Sequence, residues 1–279
     1  MDASSVTALI LTRDEERNLP RAITSLPYGV RLFVLDAESD DHTVEHARSA
    51  GAVVEVRPWT NFVDARRYAL GQIETPWVLM LDADEALDDV LRDAILSADG
   101  NADGYVMRRT TYFRGKPMRM WSNEPLLRLI KRERARIEAS PAAGGDAALH
   151  ERLVCDGTTA ELPGTLLHYS YEDGASYREK YDAYTAIEAA GLTPSYGRLL
   201  KHAALLPLHL ANNLLRRGAL LDGPRGWYIA WFSALYPCVV SWKAVFPRQA
   251  RDDRGAARDD RGAARDDKGV PRQARDDKR

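Results

Sequence analysis

The segment Trp77-Val78-Leu79-Met80-Leu81-Asp82-Ala83-Asp84-Glu85 decides how this chain is read. Five apolar residues in a row suit a strand buried on both faces. The run ends in three carboxylates within four positions. The same pattern recurs towards the N-terminus. Val6-Thr7-Ala8-Leu9-Ile10-Leu11 is an apolar run followed by Thr12-Arg13-Asp14-Glu15, and Arg31-Leu32-Phe33-Val34-Leu35 is followed by Asp36-Ala37-Glu38-Ser39-Asp40-Asp41. Val53-Val54-Glu55-Val56 makes a further strand. Between these runs the spacing predicts helices over 18–26, about 41–49 and 62–73, with another at 88–96. Asp40 or Asp41 suits a helix N-cap, and Gly51 a helix stop. Strands separated by helices of this length imply right-handed crossovers and an α/β fold with a mostly parallel sheet.

The pattern changes after Gly104. Segments 105–113, 126–131, 149–154 and 166–171 read as strands added to the sheet in mixed or antiparallel fashion. From Gly174 onward the chain reads as helical, near 174–190, 195–217 and 225–246. Sixteen of the twenty residues Trp227–Phe246 are apolar or aromatic. That length is close to what a bilayer span needs. Pro237 and Lys243 interrupt it, and its aromatics run through it rather than marking its ends. With Leu199–Leu215 before it and Arg216-Arg217 between, it reads as a helical hairpin in or on a membrane interface, ahead of a helical pair that covers the sheet.

The 279 residues carry 39 basic and 41 acidic side chains. Residues 248–279 hold 11 Lys/Arg and 8 Asp in a seven-residue repeat of the type Arg-Asp-Asp-Arg-Gly-Ala-Ala, without an apolar seam. No coiled coil is expected there, and the segment is predicted to be disordered. Residues 1–247 then carry a charge of −5. That argues against a partner nucleic acid held by bulk charge. Cys155 and Cys238 lie in no CxxC pair and are expected as reduced thiols in a cytoplasmic setting. Met1-Asp2-Ala3-Ser4-Ser5 begins no basic and apolar leader, so no signal peptide is expected. The predicted organisation is a catalytic domain over 1–172, a helical and membrane-associated region over 173–247, and the tail.

Parallel sheets bind ligands beyond the carboxyl ends of their strands. Three acidic clusters converge on that edge. Like charges so close want a cation or a hydrogen-bonding ligand. A hard divalent ion shared with substrate phosphates meets that need. Side chains alternate along an extended segment, so Asp82 and Asp84 are expected on the same side. Helix capping by Asp84 or Glu85, and turn or cap roles for Asp36, Asp40 and Asp41, are the alternatives. Capping is the preferred reading for Asp40 and Asp41.

Ile10-Leu11-Thr12-Arg13-Asp14-Glu15, Val34–Val44 and Leu81–Glu85 together resemble the N-terminal half of family 2 glycosyltransferases of the GT-A fold. Pro58-Trp59, Asp64-Ala65-Arg66-Arg67, Arg128-Leu129-Ile130, His150-Glu151 and Leu167-His168-Tyr169-Ser170-Tyr171 extend the likeness to the lipopolysaccharide-core glucosyltransferase branch, over about residues 5–245. The resemblance implies a Rossmann-like nucleotide-diphospho-sugar transferase sheet and a nucleotide-sugar donor, with a UDP-hexose the favoured one. It also implies a divalent metal, Mg²⁺ or Mn²⁺. Thr12 and Glu15 would hold the nucleoside and Asp36 the base. Asp82 and Asp84 would hold metal and diphosphate, and Arg128 would touch the diphosphate or pair with a strand neighbour. Inversion needs one general base. Glu151, after His150, is favoured over Glu124, which stands where relatives more often carry Asp. His168, Tyr169 and Tyr171 would line the acceptor site or pack in the sheet.

The expected activity is metal-dependent transfer of a hexose to a glycolipid or saccharide of the lipopolysaccharide core or cell envelope, on the inner face of the cytoplasmic membrane. The alternatives are a polyprenyl-phosphate or capsule transferase of the same fold, a nucleotide-sugar-binding protein without turnover, and a membrane-associated scaffold.

Overall fold

The computed structural model describes residues 1–139 and 151–247. The low-complexity tail and His150 lie outside the described residues. The N-terminal half is a parallel sheet. Strands β1 (Val6–Thr12), β2 (Arg31–Asp36), β3 (Val53–Val56) and β4 (Trp77–Asp82) stand in the order β3-β2-β1-β4. They are linked by α1 (Leu19–Thr24), α2 (Thr43–Ser49) and α3 (Phe62–Gln72). In β4 every residue from Trp77 to Leu81 is buried, which is why the run is apolar without alternation. Its two faces feed different cores. Leu79 and Leu81 pack with Ile10 and Leu91, whereas Val78 and Met80 pack with Leu9, Ala65 and Ile130.

The chain then turns at Ala83-Asp84 into the three-residue strand β5 (Glu85–Leu87) and helix α4 (Asp89–Ser97). Asp88 caps α4 by accepting from Leu91 N at 2.7 Å. Asp84 and Glu85 therefore do not cap it. Asp41 does act at the start of α2, where its Oδ1 accepts from Thr43 N at 2.9 Å. Gly51 ends that helical turn at φ +80°, a conformation glycine adopts without a Cβ penalty.

Strands β6 (Gly104–Phe113), β7 (Lys116–Pro117), β8 (Glu124–Lys131) and β11 (Thr159–Tyr171) complete the large sheet. Its order continues from β4 as β8-β6-β11-β5, with β7 on β6. β8 runs antiparallel to β4 and β6, and β11 runs parallel to β6. Strands β9 (Ala135–Ala139) and β10 (Glu151–Cys155) form a separate antiparallel ribbon, so segment 149–154 does not join the large sheet as expected.

Helices α5 (Gly174–Ala190), α6 (Tyr196–Ala211) and α7 (Gly223–Val245) follow. α6 passes into a π-helical turn, Asn212–Arg216. The inner face of α7 covers the end of β6: Ile229 and Ala230 pack with Phe113, Met118, Tyr177 and Tyr181. Among the described residues no helix is long and apolar enough to cross a membrane. The outer faces of α6 and α7 leave Leu200, Leu208, Trp227 and Trp231 exposed, and the π-helical turn leaves Leu215 exposed.

Candidate active site

The loops that follow β1 and β2 are stitched together. Asp36 is fully buried at the end of β2. Its Oδ2 accepts from Thr12 Oγ1 at 2.8 Å and from Ser39 Oγ at 2.6 Å, and its Oδ1 from Ser39 N at 2.8 Å. Thr12 is likewise buried. Both residues shape the loop. Beside Asp36, a narrow groove is bounded by Arg57, Pro58, Trp59 and Ala65. Glu15 anchors the neighbouring turn, with its N donating to Thr43 Oγ1 at 2.8 Å and its carboxylate accepting from Asn18 at 2.9 Å. Burial, reinforced by the nearby Asp84 charge, raises the Glu15 carboxyl above its usual range.

The expected alternation from Asp82 to Asp84 stops because the chain turns there, and the two carboxylates reach different partners. Asp82 Oδ1 pairs with Arg66 Nη2 at 2.5 Å, from α3. Its Oδ2 pairs with Arg128 Nη2 at 2.7 Å, from β8. The same Arg128 nitrogen reaches Glu85 Oε1 at 2.6 Å. Glu85 also pairs with Arg109 at 3.3 Å, and Arg109 in turn holds Glu124 at 2.7 Å. Arg128 thus pairs with Asp82 on the neighbouring strand and with Glu85. Burial alone would raise the Asp82 carboxyl, but Arg128 and Arg66 outweigh it and hold it well below the usual carboxylate range. For Glu85 burial prevails and the pKa is raised. These three positive and three negative groups form one network at the carboxyl edge of the sheet.

Asp84 faces the other way in this network. Its Oδ2 lies 3.3 Å from His168 Nε2 and 4.0 Å from Lys180 Nζ. Thr111 Oγ1 lies 3.0 Å from the other ring nitrogen of His168. Burial opposes ionisation of Asp84, yet the His168 contact leaves its pKa lowered. His168 thereby holds Asp84 in place. Tyr169 packs tilted at 4.8 Å on Tyr112 in the sheet, and Tyr171 packs on Trp121 and Tyr177 while also lining the cleft at this edge.

Among the described residues no group of three His, Cys, Asp or Glu side chains is arranged to hold a metal on its own. Both oxygens of Asp82 are already engaged. The residues therefore fit a hard divalent ion that takes one or two protein ligands, Asp84 first, and completes its shell from a diphosphate.

An open cleft of about 710 Å³ adjoins this edge. Arg109, Thr111, Glu124 and His168 line it, and the exposed Arg119, Arg216 and Arg217 form its rim. Of the two candidate bases, Glu124 lines the cleft. The backbone of Glu151 opens β10, opposite Ala139. The sequence reading missed Glu85, Arg109, Arg119, Arg216 and Arg217. Arg109 was open to detection, since it sits on β6 directly opposite Glu124.

Comparisons with known proteins find glycosyltransferases. An uncharacterized glycosyltransferase of Rickettsia typhi is 30% identical over 200 residues, covering 67% of this chain and 68% of that one. The lipopolysaccharide core biosynthesis glycosyltransferase LpsC of Rhizobium meliloti is 26% identical over 264 residues, covering 88% and 93%. Among solved structures, the mannosyltransferase PcManGT of Pyrobaculum calidifontis, in complex with GDP-Man and Mn²⁺, covers 87% of each chain at 17% identity and a TM-score of 0.47. The family profile described as Glycosyl transferase family 2 matches residues 7–154, more than half of the sequence. With that match and a sheet edge of the expected acidic character, the chain belongs to glycosyl transferase family 2 and is a glycosyltransferase.

Proposed function

We propose that the protein transfers a hexose, with inversion, from a nucleotide-sugar donor to an acceptor of the cell envelope, in lipopolysaccharide core synthesis or a related glycan. The observation that carries this reading is Asp82 at the end of the central strand β4 and Asp84 in the turn after it, joined to the 710 Å³ cleft through His168, Glu85 and Arg109. The nucleobase lies in the groove by Asp36 and Trp59, a UDP-hexose being the favoured donor. Thr12 and Asp36 hold that loop in shape for it. Arg66 and Arg128 fix Asp82, and His168 orients Asp84 towards the diphosphate. Asp84 and the donor phosphates would hold Mg²⁺ or Mn²⁺, which when bound would supply Lewis-acid stabilisation of the charge on the leaving diphosphate. Glu124 takes the acceptor hydroxyl proton. The hydroxyl oxygen then bonds the anomeric carbon as the bond to the diphosphate oxygen breaks, and that oxygen keeps the electron pair. Glu151 is the competing base, and paired Gln variants decide between them.

The outer faces of α6 and α7 are proposed to rest on the inner face of the cytoplasmic membrane. Residues 189–247 contain six basic side chains and one acidic one, alongside the exposed Leu and Trp residues. The transferase reading is tested by sugar transfer from UDP-glucose and related donors into extracted envelope glycolipid. Asp84→Asn, or chelation of the metal, is expected to lower the rate at least 100-fold, the scale of losing one charge-stabilising contact. Full activity of Asp84→Asn with metal present would sink the mechanism.

A further inference from the structure

The rim of the cleft carries a charge that the rest of the domain does not. Residues 1–188 hold 32 acidic and 22 basic side chains. Yet Arg119, Arg216 and Arg217 converge on one opening. Among the described residues, no carboxylate pairs with any of the three guanidiniums, and the one carboxylate lining the cleft, Glu124, is taken up by Arg109.

Their positions are built rather than incidental. Arg119 opens the 3-10 turn Arg119–Trp121, whose first backbone N–H donates to Asp222 Oδ2 at 2.9 Å. Arg216 closes the π-helical turn, and Arg217 is its C-cap, with its N–H bonded to Asn212 O at 3.0 Å. The turn is pinned from below by buried Asn213, whose side chain donates to Ala230 O at 3.2 Å. π-helical turns are rare and gather at functional sites. Guanidiniums clustered without carboxylate partners suit an oxyanion, which they bind in bidentate fashion.

We propose that this cleft is the acceptor site and that it selects acceptors bearing a phosphate or carboxylate group. Arg119, Arg216 and Arg217 bind that anion while the reacting hydroxyl sits by Glu124 and His168. The inference rests on the transferase reading for its location but not for its anion chemistry.

The test is titration of the full chain, saturated with UDP and Mn²⁺, by glucose, glucose 6-phosphate, inorganic phosphate and short-chain phosphatidic acid. Saturation keeps the phosphate probes out of the donor site. At least tenfold tighter binding of glucose 6-phosphate than of glucose is expected, weakening with salt. The double variant Arg216→Ala/Arg217→Ala, and separately Arg119→Ala, should each lose that preference and keep the UDP-induced rise in melting temperature. The retained rise serves as the control for folding. Tighter binding of phosphatidic acid than of glucose 6-phosphate points to a lipid-linked acceptor, and the reverse to a water-soluble sugar phosphate. Either supports the proposal. Equal binding of glucose and glucose 6-phosphate, or arginine variants that bind phosphate as the native chain does, would overturn it. If UDP fails to bind, whichever of GDP, CDP and ADP does bind takes its place, and if none binds, the donor reading fails and the phosphate titrations without nucleotide judge the arginine cleft by themselves.

Discussion

Asp82 is bracketed by two guanidiniums, and Arg128 serves it and Glu85 with the same nitrogen. Removing Arg128 leaves two neighbouring carboxylates with less compensation. Arg128→Met is expected to cost about 3 kcal/mol in urea unfolding at neutral pH, the range for breaking a buried ion pair by deleting one partner. The pH dependence follows from the direction of the two shifts. The depressed pKa of Asp82 contributes stability above its unfolded value of 3.8 that is lost as pH falls through the folded value. The raised pKa of Glu85 costs stability as pH rises past its unfolded value of 4.5, and the variant raises it further. The Glu85 shift makes the penalty larger near pH 7 than near pH 4, and the Asp82 share falls away only below pH 3.8. A penalty that grows on acidification would contradict the pairing. At this scale the sequence disclosed Asp36, Asp82 and Asp84, because a carboxylate closing an apolar run is visible by itself. It did not disclose their partners. Arg66 and Arg128 lie 16 and 46 residues from Asp82, and only the closed sheet brings them together.

Strands buried on both faces were legible as elements, since β1, β2 and β4 carry near-continuous apolar runs. The short β5, β7 and β9 were not, because they lack the run of valines that marks the equally short β3. β11 begins at Thr159, seven residues before the apolar run that betrayed it. Its first part is exposed apart from the buried Leu162, and its register on β6 slips between Glu161 and Thr165, the interval that holds Gly164. That glycine has φ +98°, and a Cβ there would stand 2.3 Å from Leu91 N, so α4 lies directly against it. The helical elements α6 and α7 were legible by their length. The sequence left open whether they face membrane or sheet, and the structure gives each helix an inner and an outer side. Trp227 and Trp231 are one turn apart on α7 and about half exposed. Trp227→Ser/Trp231→Ser is expected to reduce cosedimentation with phosphatidylglycerol vesicles several-fold without lowering the melting temperature. Unchanged vesicle binding, with Leu200 and Leu208 also made polar, would rule out docking through this face.

Across the whole molecule, the proposed site lies where three parts meet: the parallel half-sheet, the antiparallel strands β6 and β8, and the C-terminal helices. The first contributes Asp82 and Asp84, the second Arg109, Glu124 and Arg128, and the third Arg216 and Arg217. The arginine rim was hidden in the sequence because nothing in Asn212–Arg217 signals a π-helical turn, and whole-chain charge averages its sign away. The donor site is central to this account, and its most direct measurement is the melting temperature of the full chain against UDP, GDP, CDP and ADP, each with and without Mn²⁺. Binding to the folded state raises the melting temperature by mass action. A rise with one nucleotide, dependent on Mn²⁺ and abolished in Asp84→Asn, is the predicted result. A folded protein whose melting temperature responds to none of them, or responds equally without metal and in Asp84→Asn, would contradict it.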